Sequence, residues 1–186
     1  EEKYVIPQNL MPESYEKYVI SCDYGTVNPF SMGLWGKNSG KWYRISEYYF
    51  DSKKEGNSRT DEEHYKALCE LAGNRNIEMI ICDPSAASFI ECVRRKGVFK
   101  VIPAKNDVLT GIRRVSSFIQ QGKLLFSSEC KDIIREFSLY AWDESKNDTP
   151  LKKNDHAMDD MRYFVNSYLA FEENEDSFFV GSVGRR

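Results

Sequence analysis

Short apolar runs and helical apolar stripes alternate along the chain, and their order predicts a sheet that is covered by helices. The first run, Tyr18–Asp23, is almost continuously apolar, as in a strand that is buried on both faces. Phe30–Trp35 and Lys41–Phe50 follow as two further strands, and the polar, glycine-containing connection between them favours a hairpin. We therefore expect three consecutive antiparallel strands at the start of the domain.

Strands and helices alternate in the rest of the chain. Thr60 and Glu63 form a capping-box pattern, which predicts a helix that runs to Gly73. Further strands are predicted at Ile77–Cys82, Val98–Ile102 and Lys123–Phe126, and further helices from Pro84 to about Lys96, from Asn106 or Asp107 to Gly122, around residues 133–140, and from about Asp155. Antiparallel strands followed by this alternation predict an α/β fold with a mixed sheet flanked by helices.

The length of 186 residues favours one domain, which we place at residues 18–170. Residues 1–17 are interpreted as a lead-in without regular structure, because two prolines interrupt them. Residues 51–59 and 143–153 are polar and are predicted to be loops, the second of them mobile or an exposed hairpin. Residues 171–186 are acidic and rich in Gly and Ser, which predicts a flexible tail. The chain begins without Met, so we expect it to be a piece of a longer protein.

Composition narrows the function classes. The net charge of −3 is unlike the basic surface of a stand-alone nucleic-acid binder. The five cysteines are odd in number and lack Cys-x-x-Cys spacing, which favours buried free thiols in a reducing cytosol. No apolar run approaches the ~20 residues of a membrane span, and no secretory signal pattern is present, so a membrane partner is not expected.

Acidic residues follow two of the apolar runs, and a third group of acids begins the last predicted helix. Asp23 and Asp83 stand at the carboxyl ends of predicted strands, where ligands of open α/β sheets bind. His156, Asp159 and Asp160 fall on neighbouring positions of one helix face. Carboxylate oxygens suit Mg²⁺ or Mn²⁺, and a pair of such ions clamps the attacking and leaving oxygens of a phosphodiester. The pattern predicts a metal-dependent nuclease site.

The residues alone leave the third acid undecided. Asp160 lies nearer the apolar stripe of the helix, whereas Asp159 points almost opposite to it. A site at the edge of the sheet can use either of them. For Asp155, Asp159 and Asp160 there is also a simpler interpretation, favourable interaction with the helix dipole, worth ~0.3–1 kcal/mol. Asp23 and Asp83, taken singly, also fit turn formers or helix caps.

Three motifs together resemble the C-terminal nuclease domain of the large terminase subunit of tailed bacteriophages. They are Val-Ile-Ser-Cys-Asp-Tyr-Gly around Asp23, Ile-Ile-Cys-Asp-Pro-Ser around Asp83, and Asn-Asp-His-Ala-Met-Asp-Asp-Met-Arg-Tyr ending at Tyr163. The last is the most specific, since it matches the pattern Asn-Asp-His-x-x-Asp-x-x-Arg-Tyr. The resemblance extends from about Tyr18 to Tyr168 and implies an RNase H-like fold.

This resemblance implies an endonuclease that cleaves double-stranded DNA with two divalent cations. It assigns the metal ligands to Asp23, which bridges both ions, and to Asp83 and Asp159, with His156 close by. The family usually has a small residue at the position of Asp160. Whether Asp160 or Asp155 is an alternative ligand or a supporting group therefore stays open, and we expect Asp160→Ala to retain part of the activity.

The resemblance also implies partners. These are double-stranded DNA, an ATPase motor domain on the same full-length chain, a small terminase subunit and the portal, in the cytoplasm of the infected bacterial host. Lys152 and Lys153 precede the last helix and are candidate DNA phosphate contacts, although a solvated pair of charges is nearly as good an interpretation. His64, on the first long helix, is predicted to lie on the surface.

Three other functions compete with this one. Asp23-Tyr-Gly-Thr resembles the phosphate loop of actin-like ATPases, but the chain is too short for their two lobes and lacks the glycine-rich adenosine site. A Holliday-junction resolvase would use the same acids. A non-catalytic DNA-docking module would gain nothing from clustered carboxylates that repel one another.

Overall fold

The structure is a computed structural model that describes residues 2–26, 28–141, 150–151 and 153–172. The strands in these ranges are β1 (Val5–Ile6), β2 (Lys17–Asp23), β3 (Phe30–Asn38), β4 (Lys41–Phe50), β5 (Ile77–Cys82), β6 (Val101–Pro103) and β7 (Leu124–Ser127). The α-helices are α1 (Ser52–Glu55), α2 (Asp61–Ala72), α3 (Ala87–Lys96), α4 (Val108–Gln120), α5 (Lys131–Leu139) and α6 (His156–Phe164). A π-helical turn, Val165–Leu169, continues α6.

The strands form one sheet in the order β1-β7-β4-β3-β2-β5-β6. The expected antiparallel meander of β2, β3 and β4 is confirmed. β5 pairs parallel with β2, and β6 pairs parallel with β5. On the other side β7 pairs parallel with β4, so the predicted mixed sheet is confirmed.

Helices cover both faces of the sheet. Adjacent residues of β2 point to opposite faces, so Val19 lies in one hydrophobic cluster and Ile20 in the other. The first cluster joins the sheet to α4, α5 and α6, and the second joins it to α2 and α3. Phe164 at the end of α6 stacks on Trp35 of β3, with ring centroids 4.6 Å apart. This packing fixes α6 across the middle of the sheet.

Two segments that were predicted to be irregular contain regular structure. In the lead-in, β1 pairs parallel with β7, and residues 2–4 and 8–10 form short 3₁₀ turns. In the predicted loop 51–59, the side chain of Asp51 accepts a hydrogen bond from the backbone N–H of Lys53 and caps the single turn of α1. Both predictions of irregular structure were wrong for these residues.

Element boundaries near Asp83 also differ from the prediction. α3 begins at Ala87 and not at Pro84, because the Asp83 side chain and carbonyl accept hydrogen bonds from the N–H groups of Ser85 (2.8 Å) and Ala86 (3.0 Å). These bonds form a turn in place of a helical start. β6 begins at Val101, three residues later than the predicted strand.

His64 is buried and not on the surface as predicted, with 2% of the residue exposed. Its Nδ1 lies 3.0 Å from the Tyr48 hydroxyl, and its ring packs edge-on against Phe30 at 4.5 Å between centroids. Burial lowers the pKa of His64 to about 4. The residue is therefore a neutral core histidine.

Two further predictions concern segments that are described only in part. Residues 143–149 and 152 of the predicted mobile loop lie outside the described residues. Of the predicted tail, Phe171 and Glu172 are helical, and Glu172 accepts bonds from Lys17 (3.0 Å) and Trp42 (3.1 Å). The flexible tail stays a prediction for residues 173–186, which lie outside the described part of the chain.

Candidate active site

The parallel pair β2 and β5 brings the first two acids together at one edge of the sheet. Cys22 and Cys82 are register partners, and the N–H of Asp83 donates to the carbonyl of Cys22 at 3.0 Å. Asp23 and Asp83 are the next residues along these strands. Asp23 is buried, while Asp83 follows the end of β5 at the start of the turn toward α3. The prediction of adjacent strands is confirmed for β2 and β5; Asp23 is the last residue of β2, and Asp83 is the first residue after β5.

The first turn of α6 adds a histidine and a third acid to this edge. His156 Nδ1 lies 2.9 Å from Asp23 Oδ2. Asp159 stands three residues further along and accepts two hydrogen bonds at Oδ1 from Arg162, from Nε at 3.2 Å and Nη2 at 2.9 Å. Arg162 Nη1 also donates to the Asn106 side chain at 2.9 Å. Asp159 is therefore held in place by a guanidinium that is itself anchored.

These side chains line one cleft with a volume of about 650 Å³. Its walls include the acidic and histidine side chains predicted for the site, namely Asp23, Asp83, Asp155, His156 and Asp159. Cationic residues that also line the cleft are Lys53, Lys54, Arg135 and Lys153. Lys152 lies outside the described residues. The structure thus brings together, in one place, acids from three separate segments.

Asp160 is directed elsewhere. It is fully buried and pairs with Arg44, whose Nη1 and Nη2 lie 2.6 and 3.0 Å from its two oxygens. The hydroxyls of Ser21 and Ser31 also donate to it. A Cβ on Gly33 would stand 2.2 Å from Arg44 Nη1, so only glycine leaves room for this pair. Asp160 is the counter-ion of a buried arginine, which argues against its being an alternative metal ligand.

The electrostatics of the cleft favour a bound cation. Burial raises the pKa of Asp23 to about 7; the hydrogen bond from His156 opposes this shift, and the charges of Asp159 and Asp83 add to it. Burial lowers the pKa of His156, but the hydrogen bond to Asp23 and the negative charge of Asp23 have the larger effect, so the pKa of His156 is raised. Asp23 therefore resists ionisation beside the other two carboxylates, and a bound cation would stabilise its ionised form.

Residues 39–168 match the family described as Terminase RNaseH-like domain. The chain belongs to this family. Its mixed sheet with flanking helices is therefore an RNase H-like fold, as the three sequence motifs implied.

Known large terminases are similar to different extents. The large subunit of the Escherichia phage T5 terminase is 24% identical over an alignment of 132 residues, and the match covers 67% of this chain and 30% of that protein. The large terminase of a thermophilic bacteriophage, solved in complex with ADP, has a TM-score of 0.86 at 46% identity, covering 90% of this chain and 43% of that one. This chain thus spans less than half of either relative.

The nuclease domain of the bacteriophage SPP1 large terminase, solved with bound Mn, is similar over nearly its whole length. Its TM-score is 0.59 at 19% identity, with 92% of this chain and 97% of that chain covered. At this identity the likeness concerns the fold alone.

The donor set of this terminase domain fits divalent metal in its chemistry, although it is not preassembled. Among the residues that the structure describes, no three His, Cys, Asp or Glu side chains are already arranged as a metal-binding group. The carboxylates of Asp23, Asp83 and Asp159 nevertheless share one cleft, and the last two raise the pKa of the first. A divalent ion would relieve that repulsion and offers the reason for the three to converge.

Sequence reasoning missed the groups that support the site. Arg162 was noted only as part of a motif, although its position three residues after Asp159 on a helix signals a pair. Glu136, on α5, accepts hydrogen bonds from the start of α6, and nothing in the local sequence signals this contact.

Among the residues that the structure describes, none of the helices has the length and apolar character that a membrane span requires.

In the metal-free terminase domain, the stability of Asp23→Asn relative to the parent is expected to rise between about pH 4 and pH 7, so that the variant is the more stable protein near pH 7. The folded pKa of Asp23 is raised from 3.8 to about 7, so its contribution to stability is present below about pH 4 and lost as the pH rises through about 7. The pKa of His156 is also raised, so its contribution to stability is likewise present at low pH and lost as the pH rises. Because the shift depends on Asp23, the variant lacks this contribution too. Asn has no proton to lose, so the variant escapes this loss.

Thermal melts in EDTA across this pH range would measure the difference in Tm between the two proteins. Groups such as His64 titrate in both proteins and cancel in the difference. A variant that is less stable than the parent at pH 7 would contradict the prediction.

Proposed function

We propose that this terminase domain is an endonuclease that hydrolyses phosphodiester bonds of double-stranded DNA with two divalent cations, Mg²⁺ or Mn²⁺. The observation that carries the proposal is the single cleft that Asp23, Asp83, Asp159 and His156 line in a chain of the terminase family. The bound Mn of the SPP1 nuclease domain supports a divalent metal. In the infected host cell, such an enzyme would cut the phage genome during packaging.

In this proposal the carboxylates of Asp23, Asp83 and Asp159 hold the cations. Bound divalent cations supply an activated water as nucleophile and neutralise charge on the phosphate during the displacement. Arg162 fixes the rotamer of Asp159 through two hydrogen bonds to the same oxygen. The protein's own contribution to this ligand is therefore to hold Asp159 in place before DNA arrives.

His156 is proposed to donate or accept a proton at the scissile phosphate. Its Nδ1 is engaged with Asp23 at 2.9 Å, which fixes the ring and leaves Nε2 for exchange of the proton. Only 18% of its side chain is exposed, and the residue lines the cleft. A histidine in this place assists the metal ligands and does not replace one of them.

The cations at the rim of the cleft are proposed to contact DNA phosphates. Lys54 and Lys153 are exposed there, and Lys53 donates to the Asn28 side chain at 3.3 Å. Phosphate contacts position a duplex without reading its sequence, so we expect little sequence preference in cleavage. Because the net charge is −3, the domain is expected to bind DNA weakly alone.

Other parts of the packaging machinery would then deliver the DNA. We propose an ATPase motor domain on the same full-length chain, with a small terminase subunit and the portal as partners in the host cytoplasm. The thermophilic-phage relative is a large terminase that was solved with ADP, and this chain covers 43% of it, which supports a motor on the remainder.

Plasmid digestion tests the nuclease proposal. The purified domain should nick or linearise supercoiled plasmid with Mn²⁺ or Mg²⁺ and leave it intact in EDTA, because the acids act through the cation. Undiminished cutting in EDTA would contradict the metal requirement, and no cutting with any divalent ion would favour a DNA-docking module. A discrete, reproducible set of fragments would contradict the expected lack of sequence preference.

A parallel digest with a four-way junction separates the proposed function from a junction resolvase. A terminase-type nuclease should cleave linear duplex at least as fast as the junction. A strong preference for the junction would point to the resolvase.

A further inference from the structure

A buried carboxylate outside the cleft holds the start of α6. Glu136, on α5, is fully buried. Its Oε2 accepts hydrogen bonds from the backbone N–H groups of Ala157 at 2.7 Å and Met158 at 3.3 Å. Its Oε1 accepts a bond from the Tyr49 hydroxyl at 2.6 Å. All of these bonds join parts of the chain that are distant in sequence.

This contact replaces the usual cap of a helix. The first N–H groups of a helix have no partner within it and are normally satisfied by the residue before the helix. At α6 that residue is Asp155, whose side chain makes no capping hydrogen bond. Asn154 before it has a φ of 54°, in the left-handed region, so the chain enters the helix through a sharp turn. The neighbouring helix supplies the acceptor instead.

The two N–H groups that Glu136 binds lie between the functional residues of the helix. His156 precedes Ala157, and Asp159 follows Met158. The carboxylate therefore holds the one turn of backbone that carries both His156 and Asp159. Since an error of about 1 Å in the position of a reacting group costs large factors in rate, the position of this turn matters for the chemistry.

The helix that carries Glu136 is itself held by buried charged groups, which also contact α6. Glu47 of β4 accepts hydrogen bonds from the N–H groups of Asp132 (2.6 Å) and Ile133 (3.3 Å) at the start of α5. The same carboxylate lies 3.2 Å from Arg44, which pairs with Asp160 on α6. Strand, α5 and α6 are thus joined in a closed loop, and α6 is held at two points by charged groups.

We propose that Glu136 is a positioning residue that aligns the first turn of α6, and with it His156 and Asp159, for cleavage. This inference rests on the proposed nuclease function. Glu136 does not line the cleft itself, so it acts through the helix and not on the DNA. The length of its side chain, which sets where the acceptor oxygens stand, is the property that matters.

Two conservative variants separate position from charge. Glu136→Gln keeps the length and one acceptor for Ala157 and Met158, and its NH₂ group can donate to the Tyr49 hydroxyl, which also accepts. Glu136→Asp keeps the charge but draws the carboxylate back by one methylene group. The proposal predicts that Gln lowers kcat less than about threefold. Asp is predicted to lower it about 10–100-fold, as expected for loss of a group that orients ligands.

Two readouts distinguish positioning from a general loss of stability. The KM for DNA should stay unchanged in both variants, because Glu136 does not reach the substrate. Hydrogen exchange of the Ala157 and Met158 amides in metal-free protein should be about tenfold faster in Glu136→Asp, relative to the Ile80 amide in the sheet, and near the parent rate in Glu136→Gln. Leu68→Ala, in the opposite hydrophobic cluster, is the control: it destabilises the fold but should leave kcat of the folded protein unchanged.

The outcomes are separable. Impaired Asp with active Gln supports the inference. If the parent enzyme is active and both variants have the parental kcat, the inference is overturned and the proposed function is left intact. The same holds if Glu136→Gln is as impaired as Glu136→Asp. A parent enzyme that is inactive with every divalent metal would overturn the proposed function, and this inference with it.

Discussion

Replacing Asp159 by Asn is expected to abolish DNA cleavage and to leave the fold intact. The amide is nearly isosteric with the carboxylate and retains an oxygen that can accept the two hydrogen bonds from Arg162, so the buried guanidinium keeps a partner. What the substitution removes is the negative charge and the second carboxylate oxygen, and the NH₂ group in its place cannot bind a cation. Activity should be lost because the metal site is incomplete, while the packing of α6 is unchanged.

Plasmid digestion over a series of Mn²⁺ concentrations, with circular dichroism melts of the same samples, would measure both effects. His156→Ala is the matched comparison on the same turn. It should retain more activity than Asp159→Asn, with a loss of roughly 10–100-fold, because a group that assists the ligands loosens the site without removing a ligand. Full activity of folded Asp159→Asn would show that the wrong carboxylate was assigned to the metal.

The parts of the site that were predictable from the sequence are those that local patterns determine. Apolar runs that stop on an acid placed Asp23 and Asp83 at strand ends, and the pairing of β2 with β5 brings those ends together. The first turn of α6 was likewise predictable from its charged residues and the apolar stripe behind them. In each case the information lies within a few residues of the functional side chain.

Partners that are distant in the sequence were not predictable in this way. The apolar stripe left Asp159 and Asp160 undecided, because the burial of Asp160 depends on Arg44, which is 116 residues away. Only the family resemblance favoured Asp159. β1 was missed for a related reason, since Val5 pairs with Phe126 of β7, and no local pattern in a two-residue strand signals such a pairing. His64 was assigned to the surface because its aromatic neighbours come from other elements.

Asp160→Ala is expected to destabilise the whole domain, in contrast to the partial activity that the sequence alone predicted for it. Burial lowers the pKa of Arg44, but the negative charges of Asp160 and Glu47 have the larger effect. The pKa of Arg44 is therefore raised, and the guanidinium stays charged. Without Asp160 this fully buried cation loses the partner at 2.6 Å, and Glu47 at 3.2 Å remains. Breaking a buried pair in this way typically costs about 3–5 kcal/mol, a large part of the stability of a domain.

Urea unfolding followed by circular dichroism would measure this loss for comparison with Asp159→Asn. The double variant Asp160→Ala with Arg44→Met is the control, because removing the cation together with its partner leaves no uncompensated charge and should recover part of the stability. Parental stability of Asp160→Ala would mean that water or Glu47 satisfies Arg44. If the prediction holds, the two adjacent aspartates of α6 have separate roles, since loss of Asp159 leaves a stable but inactive protein and loss of Asp160 lowers the stability of the fold.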